Sequence, residues 1–188
     1  MRVDPLDRSF GAKVYDLTLA DLDQIEASEI YELWLKYALL IFPAQNLSND
    51  QQIKFAKNFG ALEFDLSPIS NVRNDGSIRD ANDDDIVKSL RGNMEWHHDS
   101  TYMPIQAKGA VFTAHKVPSK GGETGWADMR AAYDGLSHSM KEKINDLSAY
   151  HSYEWSQKER FGHKDMFVLR QKFFCGENSG ICSYDCQK

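Results

Sequence analysis

The chain has 188 residues, of which 41% are hydrophobic and 27% charged, with a formal net charge of −6. These values describe one globular domain with a sizeable core, and an acidic chain without a basic run or stripe argues against a nucleic-acid binder. The longest apolar run, Ala38 to Phe42, is too short to span a bilayer, and the N-terminus carries Arg2, Asp4, Asp7 and Arg8 rather than an apolar segment, so a cytoplasmic location is the expectation.

In chain order, residues 10–17 read as a short strand region. Leu22, Ile25, Ile30, Leu33, Trp34 and Tyr37 recur at helical spacing and predict an amphipathic helix over about 21–37. Leu39 to Phe42 then reads as a buried strand ended by Pro43. Ser48-Asn-Asp-Gln51 fits a capping box that opens a short helix ending near Gly60. Residues 65–92 are polar and read mostly as a long loop, whose acidic run Asp80 to Asp85 suits a solvated active-site lid. Residues 93–103 and 109–117 read as strands, Lys120-Gly121-Gly122 as a turn, and Asp128 as the cap of a helix over about 129–147. That helix carries the stripe Tyr133, Leu136, Met140, Ile144 and Leu147, and beyond Tyr150 the pattern degrades. Helices first and strands later, without regular alternation, favour an α+β or mainly β domain over a doubly wound sheet.

The run Trp96-His97-His98-Asp99 carries the most chemistry. In a strand, residues two apart share a face, so His97 and Asp99 stand side by side and His98 points the other way. An imidazole and a carboxylate are two-thirds of a 2-His-1-carboxylate triad, which binds non-haem Fe(II) and leaves positions open. Spacing alone also fits a polar strand face at a sheet edge. The flanking pattern favours a pocket, since Asn93, Glu95, His97, Asp99 and Thr101 share one face beside Trp96 and Tyr102.

The segment Gly92-Asn-Met-Glu-Trp-His-His-Asp-Ser-Thr-Tyr102 resembles the metal-binding segment of the TauD/TfdA family of Fe(II)/2-oxoglutarate-dependent dioxygenases. Val117 to Leu136, containing Lys120-Gly-Gly-Glu-Thr-Gly-Trp126, resembles the family's second signature at matching distance. The N-terminal strand and Leu39-Leu-Ile-Phe-Pro43 also agree, so the resemblance covers about residues 8–160. It implies that His97 and Asp99 are iron ligands, that Thr124 contacts the 2-oxoglutarate carboxylate, and that Asn93 lines the substrate pocket, with Tyr102 and Trp126 as further pocket candidates. The implied fold is a double-stranded β-helix, a jelly-roll of the cupin type with flanking helices. The implied reaction couples decarboxylation of 2-oxoglutarate by O₂, to succinate and CO₂, with hydroxylation of a small organic acid of the sulfonate, sulfate ester or aryloxy type.

The family completes its iron site with a later histidine and binds the far end of 2-oxoglutarate with an arginine beyond it. Here that order is available only as His163 and Arg170, in a context that does not match, and the assignment is not made. The sequence therefore predicts a single domain over 1–188, incomplete at its C-terminus, with an atypical tail over 166–188. The alternative is a catalytically incomplete fragment of such an enzyme, and an unfinished sheet invites self-association into a homo-oligomer. Of the other histidines, His115 is expected to be half-buried, His138 solvent-facing, and His151 and His163 not ligands. The acidic run Asp80 to Asp85 fails as a calcium loop: its sixth position is Asp85 rather than glycine and its twelfth is Arg91 rather than glutamate. Cys175, Cys182 and Cys186 are odd in number and lack CxxC spacing, which argues against both a disulfide framework and a zinc site.

Overall fold

A computed structural model describes residues 1–80, 82–92, 94, 96–103, 105–152, 169–174 and 183–186. They fall into two compact units: Met1–Leu66 with Gly109–Glu142 in the first, and Ser67–Lys108 with the described residues from Lys143 onward in the second.

In the first unit, strand β1 (Arg2–Pro5) pairs antiparallel with β2 (Ala12–Tyr15), and β2 pairs parallel with β3 (Leu40–Ile41). The parallel step needs a crossover, which helix α1 (Gln24–Tyr37) supplies. Asp23 starts α1 with a capping box: its carboxylate accepts from the Ile25 and Glu26 N–H groups, and Glu26 accepts from the Asp23 N–H. Ala38 ends it in the left-handed region at φ 61°, donating to the Trp34 carbonyl. The expected Ser48 capping box is present and opens α2 (Asn49–Lys57).

The core of this unit is Leu19, Ile30, Leu47 and Phe55, with Phe42, Phe59 and Val111 against it. Along β2, Ala12 and Val14 are buried while Lys13 is exposed, the alternation of a strand with one covered face. The second chain segment of the unit is tied on by polar bonds. Gln52 Nε2 donates to the Val111 carbonyl at 3.0 Å, and Arg130 Nη1 donates to the Leu35 carbonyl at 3.1 Å. The latter places a cation on an orphan carbonyl in the last turn of α1, where it also complements the helix dipole.

The predicted helix over 129–147 is two helices, α4 (Met129–Asp134), capped by Asp128, and α5 (His138–Asn145). Gly135 closes α4, and the Ser137 hydroxyl accepts the Met140 N–H as the start of α5, so the apolar stripe crosses a break that its period does not reveal. The predicted strand 109–117 forms no ladder among the described residues. It keeps a partial pleat, with Val111 and Thr113 half-buried between exposed neighbours, but its side-chain bond to Gln52 replaces a neighbouring strand.

In the second unit, part of the predicted loop 65–92 is ordered by its own polar groups. Val72 and Ile78 form an antiparallel bridge, and the run ends in helix α3 (Asp85–Gly92). Asp84 accepts the Ile86 N–H at 3.0 Å and pairs with Arg73 at 2.8 Å and Arg79 at 3.3 Å. Burial pushes the Asp84 carboxyl up, but the Ile86 N–H and Arg79 outweigh it and hold the group below the usual carboxylate range. Strands β4 (Ser148–His151), β5 (Leu169–Phe174) and β6 (Ser183–Cys186) form an antiparallel sheet in that order, and β5 and β6 lie beyond the point where the sequence pattern degrades. Among the described residues no helix is long and apolar enough to cross a membrane.

Candidate metal centre

The segment carrying His97 and Asp99 is not the strand that the alternation predicts. Its described residues run as bends and turns, and Ser100 takes φ 61°, a left-handed conformation that breaks any pleat. The Met103 N–H closes the turn on the Ser100 carbonyl at 3.0 Å. The pairing nevertheless survives. His97 Nε2 lies 3.0 Å from Asp99 Oδ1, with the two side chains 48% and 58% exposed. A turn brings them together where a strand face was expected.

The distance allows a test of fit for a divalent cation. Two donors about 2.1 Å from one ion, at right angles, lie about 3.0 Å apart. The observed Nε2–Oδ1 separation is that of a hydrogen bond between the two side chains, and it is also the length of one edge of such a coordination polyhedron. One nitrogen and one carboxylate oxygen suit a first-row divalent metal, and the exposure of both leaves the outer side open. Among the described residues no group of three or more His, Cys, Asp or Glu side chains gathers around one point.

His98 projects to a different set of partners. Its Nδ1 lies 2.9 Å from the Asp99 carbonyl oxygen and 2.6 Å from Gln106 Nε2. His151, at the end of β4, has an imidazole held below the ordinary histidine value, chiefly by burial and in addition by the nearby His98. Gln106 has no motif to announce it, and sequence reasoning missed it.

Tyr102 lies in the same turn as the pair and is partly exposed. Thr124 lies in the first unit, on the exposed chain that follows Gly121 and Gly122, both at positive φ. Trp126, further along that chain, packs edge-on against Phe112 at 5.9 Å. Asn93 and His163 lie outside the described residues, as do Cys175 and Cys182. His115 is exposed rather than half-buried, because the 109–117 segment joins no sheet among the described residues. His138 is solvent-facing as expected, 3.3 Å from Glu142 one helical turn on. The acidic run serves the local fold: Asp80 accepts the Asn82 and Asp83 N–H groups while Asp84 caps α3.

Comparison with known proteins gives a consistent picture. The family model described as taurine catabolism dioxygenase TauD, TfdA family, matches residues 2–176, which reaches into the stretch that the sequence resemblance left aside. An (S)-phenoxypropionate/alpha-ketoglutarate-dioxygenase of Sphingobium herbicidovorans is 52% identical over 97% of this chain and 62% of its own length. An alpha-ketoglutarate-dependent 2,4-dichlorophenoxyacetate dioxygenase of Cupriavidus pinatubonensis is 36% identical over 79% of this chain and 57% of its own. The chain thus spans about three-fifths of the length of these curated relatives. Among solved structures, AAD-2 in complex with Mn(II) and N-oxalylglycine superposes with a TM-score of 0.81 at 31% identity, covering 95% of this chain and 70% of that one.

Proposed function

The chain belongs to the TauD/TfdA family of dioxygenases, and from that premise we propose that it acts as a 2-oxoglutarate-dependent dioxygenase on a 2-aryloxypropionate. The observation that carries the proposal is the approach of His97 Nε2 and Asp99 Oδ1 at 3.0 Å, in a chain that matches the family over both signatures. His97 and Asp99 would hold Fe(II), which would supply the activation of O₂ together with 2-oxoglutarate. The jelly-roll of the family, the double-stranded β-helix, is the architecture we infer for the whole enzyme, and the likeness to a solved relative supports it.

The residues have distinct tasks. With a metal bound, His97 would offer the Nε2 lone pair and carry its ring proton on Nδ1. Asp99 contributes an anionic oxygen that offsets part of the metal's charge. Thr124 is assigned to the 2-oxoglutarate carboxylate, and Asn93 and Tyr102 to the wall of the substrate pocket. Hydroxylation at the carbon that bears the aryl ether oxygen gives a hemiketal. That species collapses with cleavage of the C–O bond, its hydroxyl proton passing to the departing phenolate. The products are a phenol and pyruvate, beside succinate and CO₂, so that one O₂ and one 2-oxoglutarate are consumed for each phenol.

The test uses the protein loaded with Fe(II), supplied with 2-oxoglutarate, O₂ and (S)-2-phenoxypropionate. Phenol and succinate are expected in equal amounts, and both should vanish without 2-oxoglutarate. Phenol release that ignores 2-oxoglutarate would overturn the proposal. Succinate formed at the same rate with sulfate esters but without phenol from the aryloxy acid would leave the family reaction standing and remove the substrate.

A further inference from the structure

We propose that Gln106 is a positioning residue for the His97–Asp99 pair, its carboxamide holding the turn in the geometry that a metal requires. The inference rests on the metal reading given above. It starts from the setting of the pair: among the described residues it sits on a turn without a strand ladder, and its side chains are about half exposed. A loop of this kind samples many conformations unless side chains restrain it, and ordering each residue costs about 1–2 kcal/mol.

Gln106 supplies the restraint from seven residues downstream of Asp99. Its Nε2 is 2.6 Å from His98 Nδ1, 3.3 Å from His98 Nε2 and 3.4 Å from the Asp99 carbonyl oxygen. His98 Nδ1 is itself 2.9 Å from that same carbonyl. Three groups thus meet: the ring between the two ligands, the backbone of one ligand, and the carboxamide. Two nitrogens 2.6 Å apart require one donor and one acceptor. Either Gln106 Nε2–H donates to a bare His98 Nδ1, or the two ends of the amide are exchanged and its oxygen accepts from Nδ1–H. In the first arrangement the amide N–H groups reach both His98 Nδ1 and the Asp99 carbonyl, and in the second His98 Nδ1–H is shared by the amide oxygen and that carbonyl, so either way carboxamide, ring and ligand backbone are tied together and the 98–99 peptide plane cannot turn away.

A second observation points the same way. Gln106 Oε1 is buried and has no hydrogen-bond partner among the described residues. Leaving that end of a buried amide unsatisfied, whether it is the oxygen or the exchanged nitrogen, costs about 1–3 kcal/mol, a cost that the contacts to His98 and Asp99 must offset. An apolar side chain would fill that space without the penalty. A carboxamide there is best explained by the turn it holds. Groups that orient metal ligands without touching the metal are commonly worth ten- to a hundredfold in metal affinity.

The experiment is a titration of the full chain with Mn(II) alone, followed by loss of the free-ion electron paramagnetic resonance signal. The variants are Q106M, which keeps shape and burial but removes the polar bonds, H98A, and the double variant. Q106M is expected to bind Mn(II) about ten- to a hundredfold more weakly than the wild type, with the same urea unfolding midpoint. The double variant should bind no more weakly than the poorer single one, because both act through one restraint. A wild type that binds while Q106M binds equally tightly overturns the clamp alone, as does strict additivity of the two losses. A wild type that does not bind Mn(II) overturns the metal reading together with the clamp.

Discussion

Val14 and Ile30 are 0% and 2% exposed, whereas His97 and Asp99 stand about half open to solvent. The first pair belongs to a sheet and helix fixed by burial, by a parallel crossover and by two capping boxes. The second belongs to a turn fixed by hydrogen bonds between polar side chains and backbone. The difference teaches where each kind of substitution should act. Changes in the first region should register as stability, and changes in the second as metal binding and turnover with little change in stability. An open turn is also what a metal centre needs, since cosubstrate, substrate and O₂ must all reach it.

The largest effect expected is in the turn. His97→Ala or Asp99→Ala should lower 2-oxoglutarate-dependent turnover about a thousandfold or more while leaving the urea midpoint close to wild type. A matched loss of stability would break the contrast between the two regions. Next comes Phe55→Ala, which removes a ring packed against Phe42 and Phe59 at 6.0 and 5.2 Å and should cost about 3–5 kcal/mol in denaturant unfolding. Gly109→Ala should cost about 1–3 kcal/mol, because a Cβ there would run into the Trp34 indole that caps the end of α1.

The smallest effect sharpens the picture at a helix cap. Asp128→Ala should cost about 1 kcal/mol by removing the acceptor of the Arg130 and Ala131 N–H groups. Its pH dependence has a definite sign. Burial pushes the Asp128 carboxyl up, but the Ala131 N–H, the Ser9 hydroxyl and Arg130 outweigh it, and the group is held below its ordinary value of 3.8. The unfolded chain therefore binds the proton first as pH falls. The contribution of Asp128 is complete above about pH 3.8 and is lost as pH drops through the folded value, so wild type and Asp128→Ala should converge in stability at strongly acid pH.

Much of the scaffold was legible in the sequence because local rules and tertiary burial agree there. Ser48 marks a helix start, and the apolar spacing from Leu22 to Tyr37 needs no partner to be recognised, although the Asp23 cap that sets where that helix begins was not read. Helix α3 was missed because an acidic run hides its cap: Asp84 needs Arg73 and Arg79 beside it before the charges favour a helix. Strand β1 was missed because Arg2, Asp4 and Pro5 carry no strand propensity, and its pairing with β2 decides the matter. The strands expected at 93–103 and 109–117 failed for the converse reason, since alternation describes a face and not the neighbour that a ladder needs.

The same division runs through the site. His97 and Asp99 are close in sequence, so any compact backbone brings them together, and the turn does so as well as a strand would. Gln106 is visible only once the chain is folded, because a glutamine seven residues past Asp99 has no residue type or spacing that signals a role.

The measurement that bears most directly on the metal reading uses ¹⁸O₂ with the Fe(II)-loaded protein, 2-oxoglutarate and (S)-2-phenoxypropionate. Such a reaction places one atom of O₂ in succinate and the other on the hydroxylated carbon, which leaves as the ketone oxygen of pyruvate, so wild type should give succinate carrying one ¹⁸O in step with release of unlabelled phenol, and Asp99→Ala should give neither. Unlabelled succinate from the wild type, or labelled succinate formed equally by Asp99→Ala, would contradict the assignment of His97 and Asp99 as the metal centre.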